Sequence, residues 1–225
     1  MSNFSFNSLA ETSFVSESKK HLKPYEIYKV KLSKIERGNL QGKKDPSSKF
    51  DIVTLEFTSD DGIFSENIFV PNKDADFERR ENPTTHNLMT SSFDRFQFTL
   101  MQIVEAINPK GAQTIKDNAS KLKTIDDFIN LIIKALNGKS DVEVYLKLVG
   151  QDSNGTTYAR LPSSCLMGKD GKPYAVNFIS PKEDKLFFTN YEIGQAKKYK
   201  EAKPTPMPDT TSDIGSELDL SDIEL

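Results

Sequence analysis

Bases and aromatic rings alternate at period two along several stretches of this chain, a pattern that can grip a polyanion and stack on its bases. Lys29 and Lys31 flank Val30, Tyr145 precedes Lys147 by two, and Tyr158 precedes Arg160 by two. In a strand, residues two apart share a face, so each pair points the same way. Cations neutralise phosphates while ring faces stack on bases, contributing about 1 to 3 kcal/mol per stacked base, so single-stranded nucleic acid is the ligand this pattern fits. A loop rich in bases adds Arg37, Lys43, Lys44 and Lys49, followed by Phe50, and a later polar loop carries Arg79 and Arg80. A plain solvated sheet face is the competing reading of the same alternation.

Catalytic patterns are weaker. Gly38-x-x-x-Gly42-Lys43-Lys44 is one residue short of a P-loop and lacks its Ser or Thr, and Gly168-Lys169-Asp170-Gly171-Lys172 reads as a turn. The pairs Asp60-Asp61 and Asp126-Asp127 fall at a turn and at a helix start, where local structure accounts for acids. Ser163, Ser164 and Cys165 have no His nearby in sequence to activate them. One cysteine and two histidines, His21 and His86, leave little for a metal site and exclude an intrachain disulfide framework. No catalytic residue, cofactor or metal is expected, and the lone cysteine suggests a reducing compartment.

Charge divides the chain unevenly. The net formal charge of the 225 residues is -3, yet the last seventeen hold Asp209, Asp213, Glu217, Asp219, Asp222 and Glu224 and no base. Residues 1 to 208 are therefore at +3, and Lys19 to Lys49 contains ten bases against three acids. A basic segment and an acidic end suggest a polyanion ligand and a competitor for it. Between the acids lie Ile214, Leu218, Leu220, Ile223 and Leu225, so the tail is acidic and amphipathic at once. Asp213, Glu217, Asp219, Asp222, Glu224 and Leu225 are its expected partner contacts. A disordered solubility tail is the competing reading.

The elements that must carry these residues follow from periodicity. Tyr25 to Ile35 alternates with Tyr28, Val30 and Leu32 on the buried face; Phe50 to Thr58 buries Val53, Leu55 and Phe57; Ile63 to Val70 is a third strand after a Ser59-Asp60-Asp61-Gly62 turn. The period then changes to 3.6. Phe93, Phe96, Leu100, Ile103, Val104 and Ile107 form one helical face, opened by Ser91-x-x-Asp94 and stopped by Pro109. A second helix runs from Thr124-x-x-Asp127 to Asn137-Gly138, burying Phe128, Ile129, Ile132, Ile133 and Leu136. Alternation returns over Asp141 to Val149 and, after Ser153-Asn154-Gly155, over Thr156 to Leu161. Tyr174 to Ile179 and Lys185 to Thr189 are expected as short strands, and Glu192 to Ala202 as a short basic helix. Residues 1–18 read as a flexible N-terminal arm, 19–202 as the nucleic-acid-binding domain, and 203–225 as a Pro-containing linker and disordered acidic tail.

Three strands, helices, then two strands is the order of an OB fold, so the expected class is mainly β with inserted helices (α+β): a five-stranded barrel with two helices between strands 3 and 4. A generic α+β barrel is the rival. The basic body, proline-containing linker and acidic tail resemble the single-stranded DNA-binding proteins of bacteriophage and bacterial replication. Ile35-Glu36 through Gly42-Lys43-Lys44-Asp45-Pro46 into Phe50-Asp51-Ile52-Val53 is similar to the strand-loop-strand opening of the phage members. The family's tail commonly ends in an aromatic residue, whereas this one ends in Ile223-Glu224-Leu225, and Trp is absent, leaving stacking to Tyr and Phe.

The resemblance implies a non-enzymatic protein that coats single-stranded DNA with slight sequence preference in replication, recombination or repair. Its tail would recruit polymerase, helicase or primase and compete with DNA. Self-association into a homo-oligomer is compatible with that role. No run approaches the roughly 20 apolar residues of a membrane span, so no membrane partner is expected, and the expected location is the cytoplasm, that of the host for a phage protein. The rivals are a virion or assembly component working through its tail without nucleic acid, and a nuclease with scattered carboxylates.

Overall fold

The computed structural model describes residues 20–42, 45 and 47–202. The N-terminal arm, Lys43, Lys44, the linker and the acidic tail lie outside the described residues.

Alternation in the first strand, β1 (Ile27–Gln41), buries Tyr28, Val30 and Leu32 and turns Lys29 and Lys31 outward. A bulge between Leu32 and Lys34 then shifts the register, so that Ile35 and Arg37 take the inward phase. This long strand serves two partners. Residues 27–31 pair with β4 (Glu143–Lys147), and Lys31 to Gln41 pair with β2 (Lys49–Ser59). The strand β3 (Gly62–Phe69) continues beyond β2, and the two-residue β9 (Ile179–Ser180) lies beyond β4, giving an antiparallel five-stranded sheet in the order β3-β2-β1-β4-β9. Gly62 at the β2–β3 turn has a φ of 150°, and a Cβ there would collide with the Lys20 carbonyl. That carbonyl accepts from Ile63 N–H.

Four α-helices stand between β3 and β4 where two were expected: α1 (Asp74–Phe77), α2 (Ser92–Ile107), α3 (Pro109–Asp117) and α4 (Ile125–Leu136). Capping boxes start α2 at Ser91 with Asp94 and α4 at Thr124 with Asp127, as their spacing requires. Pro109 ends α2 but also begins α3. Asn108 caps one helix and opens the next, its Oδ1 accepting from Gly111 N–H at 3.0 Å. Leu100, Ile103 and Val104 of α2 and Ile129 and Ile132 of α4 are wholly buried against Val53, Leu55, Phe57, Val144 and Leu146 of the sheet.

The expected closed barrel is not formed among the described residues. The predicted fourth strand stays with the start of the chain through Leu148, whose N–H donates to the Glu26 carbonyl and whose carbonyl accepts from Tyr25 N–H, just before β1. The chain then leaves as a separate hairpin of β5 (Val149–Ser153) and β6 (Thr156–Arg160), turned by Asn154 and Gly155 at positive φ. At the open edge of β3, Glu66 reaches out to accept the N–H of Leu161 at 3.1 Å. One side-chain bond stands where a strand ladder would close the barrel.

Beyond the hairpin, β7 (Cys165–Met167) pairs with β8 (Pro173–Ala175). The stretch predicted as one strand over Tyr174 to Ile179 is thus divided between β8 and β9. Lys185 to Thr189 forms no strand; it follows a 3-10 turn at Glu183–Lys185 and leads to Thr189, which caps α5 (Asn190–Glu201) through a Thr189–Glu192 capping box. Among the described residues, no helix is long and apolar enough to cross a membrane.

Candidate nucleic-acid interface

Cross-strand pairing sets Lys29 beside Tyr145 and Lys31 beside Glu143 on the outward face of the sheet. Glu143 carries the local electrostatics. Its carboxylate lies 2.5 Å from Lys29 Nζ and 3.6 Å from Lys31 Nζ, so one anion is shared by the two strand lysines. The hydrogen bond to Lys29 lowers the Glu143 pKa and raises that of Lys29. Tyr145 is half-buried beside them.

Lys147 departs from the sequence reading. Its alternation is intact, yet it is only 1% exposed because the segment from Phe187 into α5 lies over it. Its ammonium donates to the Phe187 carbonyl and to both Glu192 oxygens, each at 3.1 Å, and sits 5.5 Å from the Phe188 ring centroid. Three acceptors and a ring face replace the water such a group needs. As a consequence the covering segment presents Phe187 and Tyr191 to solvent, 74% and 75% exposed. The sequence reading passed over both; an apolar pair followed by a polar, weakly periodic helix was their signal.

At the other end of the same face, Leu40 pairs with Phe50, and Ile52 stands between Gly38 and Phe69. The rings of Phe50 and Phe69 meet edge to face, 5.9 Å apart at 89°. Phe69 is exposed and Phe50 half-buried, while Lys49, next to Phe50 in the chain, takes the opposite phase with Asp51. Between β1 and β2, Gly42 N–H donates to the Ser48 carbonyl at 2.8 Å, while the Asp45 carboxylate accepts from the hydroxyls of Ser47 and Ser48 and has its pKa lowered by them. Lys43 and Lys44 belong to this loop by sequence. Phe69 was missed because the third strand was given bounds and no face; its odd-numbered neighbours Ile63, Ser65 and Asn67 mark the outward phase.

The remaining arginines are spent on structure or stand apart. Having changed phase at the bulge, Arg37 faces the helices, where its guanidinium binds Asp51 at 3.0 Å and Asp126 at 2.8 Å, fastening β1 and β2 to α4. Arg79 makes two 2.8 Å bonds to Asp94, whose carboxyl it holds below the usual range. Arg80 is exposed and has no ion pair among the described residues. Tyr158 is exposed, and Arg160 donates to Gln151 at 2.7 Å, both on the hairpin rather than on the five-stranded sheet. The structure therefore groups Lys29, Lys31 and Tyr145, and separately Phe50 with Phe69, and leaves Lys49 on the opposite phase of β2.

Among the other chemical groups, Asp127 caps α4, Asp126 holds Arg37, and the buried Cys165 thiol is pushed up by desolvation. Among the described residues no cluster of three His, Cys, Asp or Glu side chains has the geometry to hold a metal ion. No family model, curated protein or solved structure matches this chain.

Proposed function

We propose that this protein binds single-stranded DNA without marked sequence preference and acts by coating it in replication, recombination or repair, with no catalysis of its own. The observation that carries the reading is one outward sheet face with the exposed Phe69 ring, edge to face with the half-buried Phe50, at one end and Lys29, Lys31 and Tyr145 at the other. Ring faces next to cations are what a base stack and a phosphate require together. Antiparallel pairing of β1 with both β2 and β4 is the pairing of an OB barrel, and its loop between the first two strands is where such folds extend a ligand groove. The open seam makes this a variant in which the last hairpin has left the barrel. In this reading the acidic tail contacts replication proteins and, by its charge, weakens DNA binding. The host cytoplasm suits a phage member of such a class.

A second reading, an assembly protein that binds no nucleic acid, is favoured by the intramolecular use of Lys29, Lys31, Arg37, Arg79 and Lys147 in ion pairs. Titration with poly-dT at two salt concentrations separates the two. A coating protein binds and weakens as salt rises, because phosphate contacts release counterions. Absence of binding at low salt rejects it, and cleavage of the DNA on adding Mg²⁺ would reveal an enzyme.

A further inference from the structure

On the far side of the molecule from the outward sheet face, α2, α3 and the start of α4 leave a groove of about 790 Å³. Phe77, Phe93, Phe98, Met101, Leu122 and Ile125 supply most of its apolar wall. A groove this size falls in the range that holds a ligand or several side chains. Gln102 also lines it; that side chain is 6% exposed, its Nε2 donates to the Ser164 carbonyl at 2.7 Å, and its Oε1 has no hydrogen-bond partner. A buried acceptor without a donor is uncommon in a finished interior.

The rim of the groove is cationic. Lys116 pairs with Glu105 at 2.6 Å, while Lys123 makes no ion pair among the described residues. The nearby carboxylates are engaged elsewhere, Asp126 by Arg37 and Asp127 by the helix cap. An occupant should therefore bring several apolar side chains, acids between them, and N–H donors.

We propose that the occupant is the end of this chain's own acidic segment, residues 218–225, seated by Leu218, Leu220, Ile223 and Leu225 with its carboxylates against Lys123. Six acids and no base lie in the last seventeen residues. The other segment outside the described residues is less suited: it brings Phe4, Phe6 and Phe14 but only Glu11 and Glu17, opposed by Lys19. Reach is sufficient for anchors from Leu218 onward: the residues from Lys203 to Glu217 extend to about 50 Å, more than the roughly 40 Å width of a folded body of this size. Seated there, the tail is held away from the Phe50–Phe69 face. This inference does not depend on the chain binding DNA.

Methyl NMR of the full chain tests it, since Met101 lines the groove while Met89 and Met167 do not. The comparison is between the native chain, a tail variant (Leu218→Ser, Leu220→Ser, Ile223→Ser and Leu225→Ser), and a rim variant (Lys123→Glu). All changes are at exposed or terminal positions and leave the core intact. The expected result is a shift of the Met101 methyl signal in both variants, in the same direction and independent of protein concentration, with Met89 and Met167 unmoved. An unchanged Met101 signal in the tail variant overturns the proposal. So does a shift that appears only in concentrated samples, which would mean that a second copy supplies the tail.

Discussion

Lys147 Nζ lies 3.1 Å from each carboxylate oxygen of Glu192, and this buried pair fixes α5 over the outward face of β4. Tyr199 of α5 also meets Tyr25 at a 5.8 Å centroid distance, but α5 has no buried residue of its own. The helix therefore depends on the ion pair more than on an apolar stripe.

Removing Glu192 leaves the Lys147 ammonium with one acceptor, and breaking a buried pair this way costs about 3 to 5 kcal/mol if the cover stays in place. Undocking α5 is the cheaper response, because it returns Lys147 to water. Glu192→Ala should accordingly speed amide exchange in α5 by about tenfold or more while α2 amides keep their protection. Equal acceleration in both helices would mean global destabilisation instead. If the sheet face binds DNA, the same variant should bind poly-dT more tightly, since it uncovers another cation.

Glu143 sits between Lys29 and Lys31 and neutralises part of their charge. Glu143→Gln should release both lysines to a phosphate ligand and steepen the salt dependence of poly-dT binding by about 0.7 per lysine engaged. Lys43→Ala with Lys44→Ala should flatten it by a similar amount. Slopes measured between low and moderate salt decide both, and an unaltered slope removes the residues concerned from the interface.

Phe69 should contribute as a stacking surface more than as a core residue. Phe69→Ala is expected to weaken poly-dT binding by about 1 to 3 kcal/mol, which is roughly 5- to 150-fold. Phe50→Ala should act in the same direction. A melting temperature close to that of the native chain, together with lost affinity, distinguishes stacking from disruption of the fold.

Local rules carried much of this architecture in the sequence. Alternation at Tyr28, Val30 and Leu32, the 3.6 period from Phe93 to Ile107 and two capping boxes each depend on residues within a few positions, so they can be read without the fold. Barrel closure cannot be. It depends on whether the β5–β6 hairpin pairs with the edge of β3, where Glu66 and Leu161, 95 residues apart, make one side-chain bond. The site residues divide the same way. Lys29 and Lys31 do face outward, but Glu143 as their counter-ion, α5 over Lys147 and the phase change that sends Arg37 to Asp126 are tertiary facts. α3 was missed because Ala112 and Ile115 are its only buried residues, too few to mark a period.

Glu66 makes stability depend on pH in an unusual sense for a carboxylate. Burial raises its pKa, opposed by the Leu161 N–H that it accepts and by Arg160. A folded-state pKa above the unfolded value means that its favourable contribution is fully present below the unfolded pKa and is lost as pH rises through the folded one. Glu66→Gln keeps an acceptor for Leu161 and removes the titration. The variant should therefore gain stability relative to the native chain as pH climbs from about 4 toward neutrality. Glu66→Ala leaves the Leu161 N–H unpaired and should lose about 1 to 3 kcal/mol. Urea unfolding of the three proteins across that range tests both, and parallel pH profiles would show that Glu66 is not the titrating group.

Ending the chain at Pro208 changes its formal charge from -3 to +3. If the tail rests in the helix groove, its effect on DNA reaches the binding face only through the field of the whole molecule. That field extends about 30 Å at 10 mM salt and about 8 Å at 150 mM. Truncation should then raise poly-dT affinity at 10 mM and have almost no effect at 150 mM, while partner recruitment is lost at both. A tail lying directly on Lys29 and Lys31 would behave differently, because displacing it would add affinity at 150 mM as well. Equal gains at the two salt concentrations would therefore place the tail on the DNA face and reject its seat between α2 and α4.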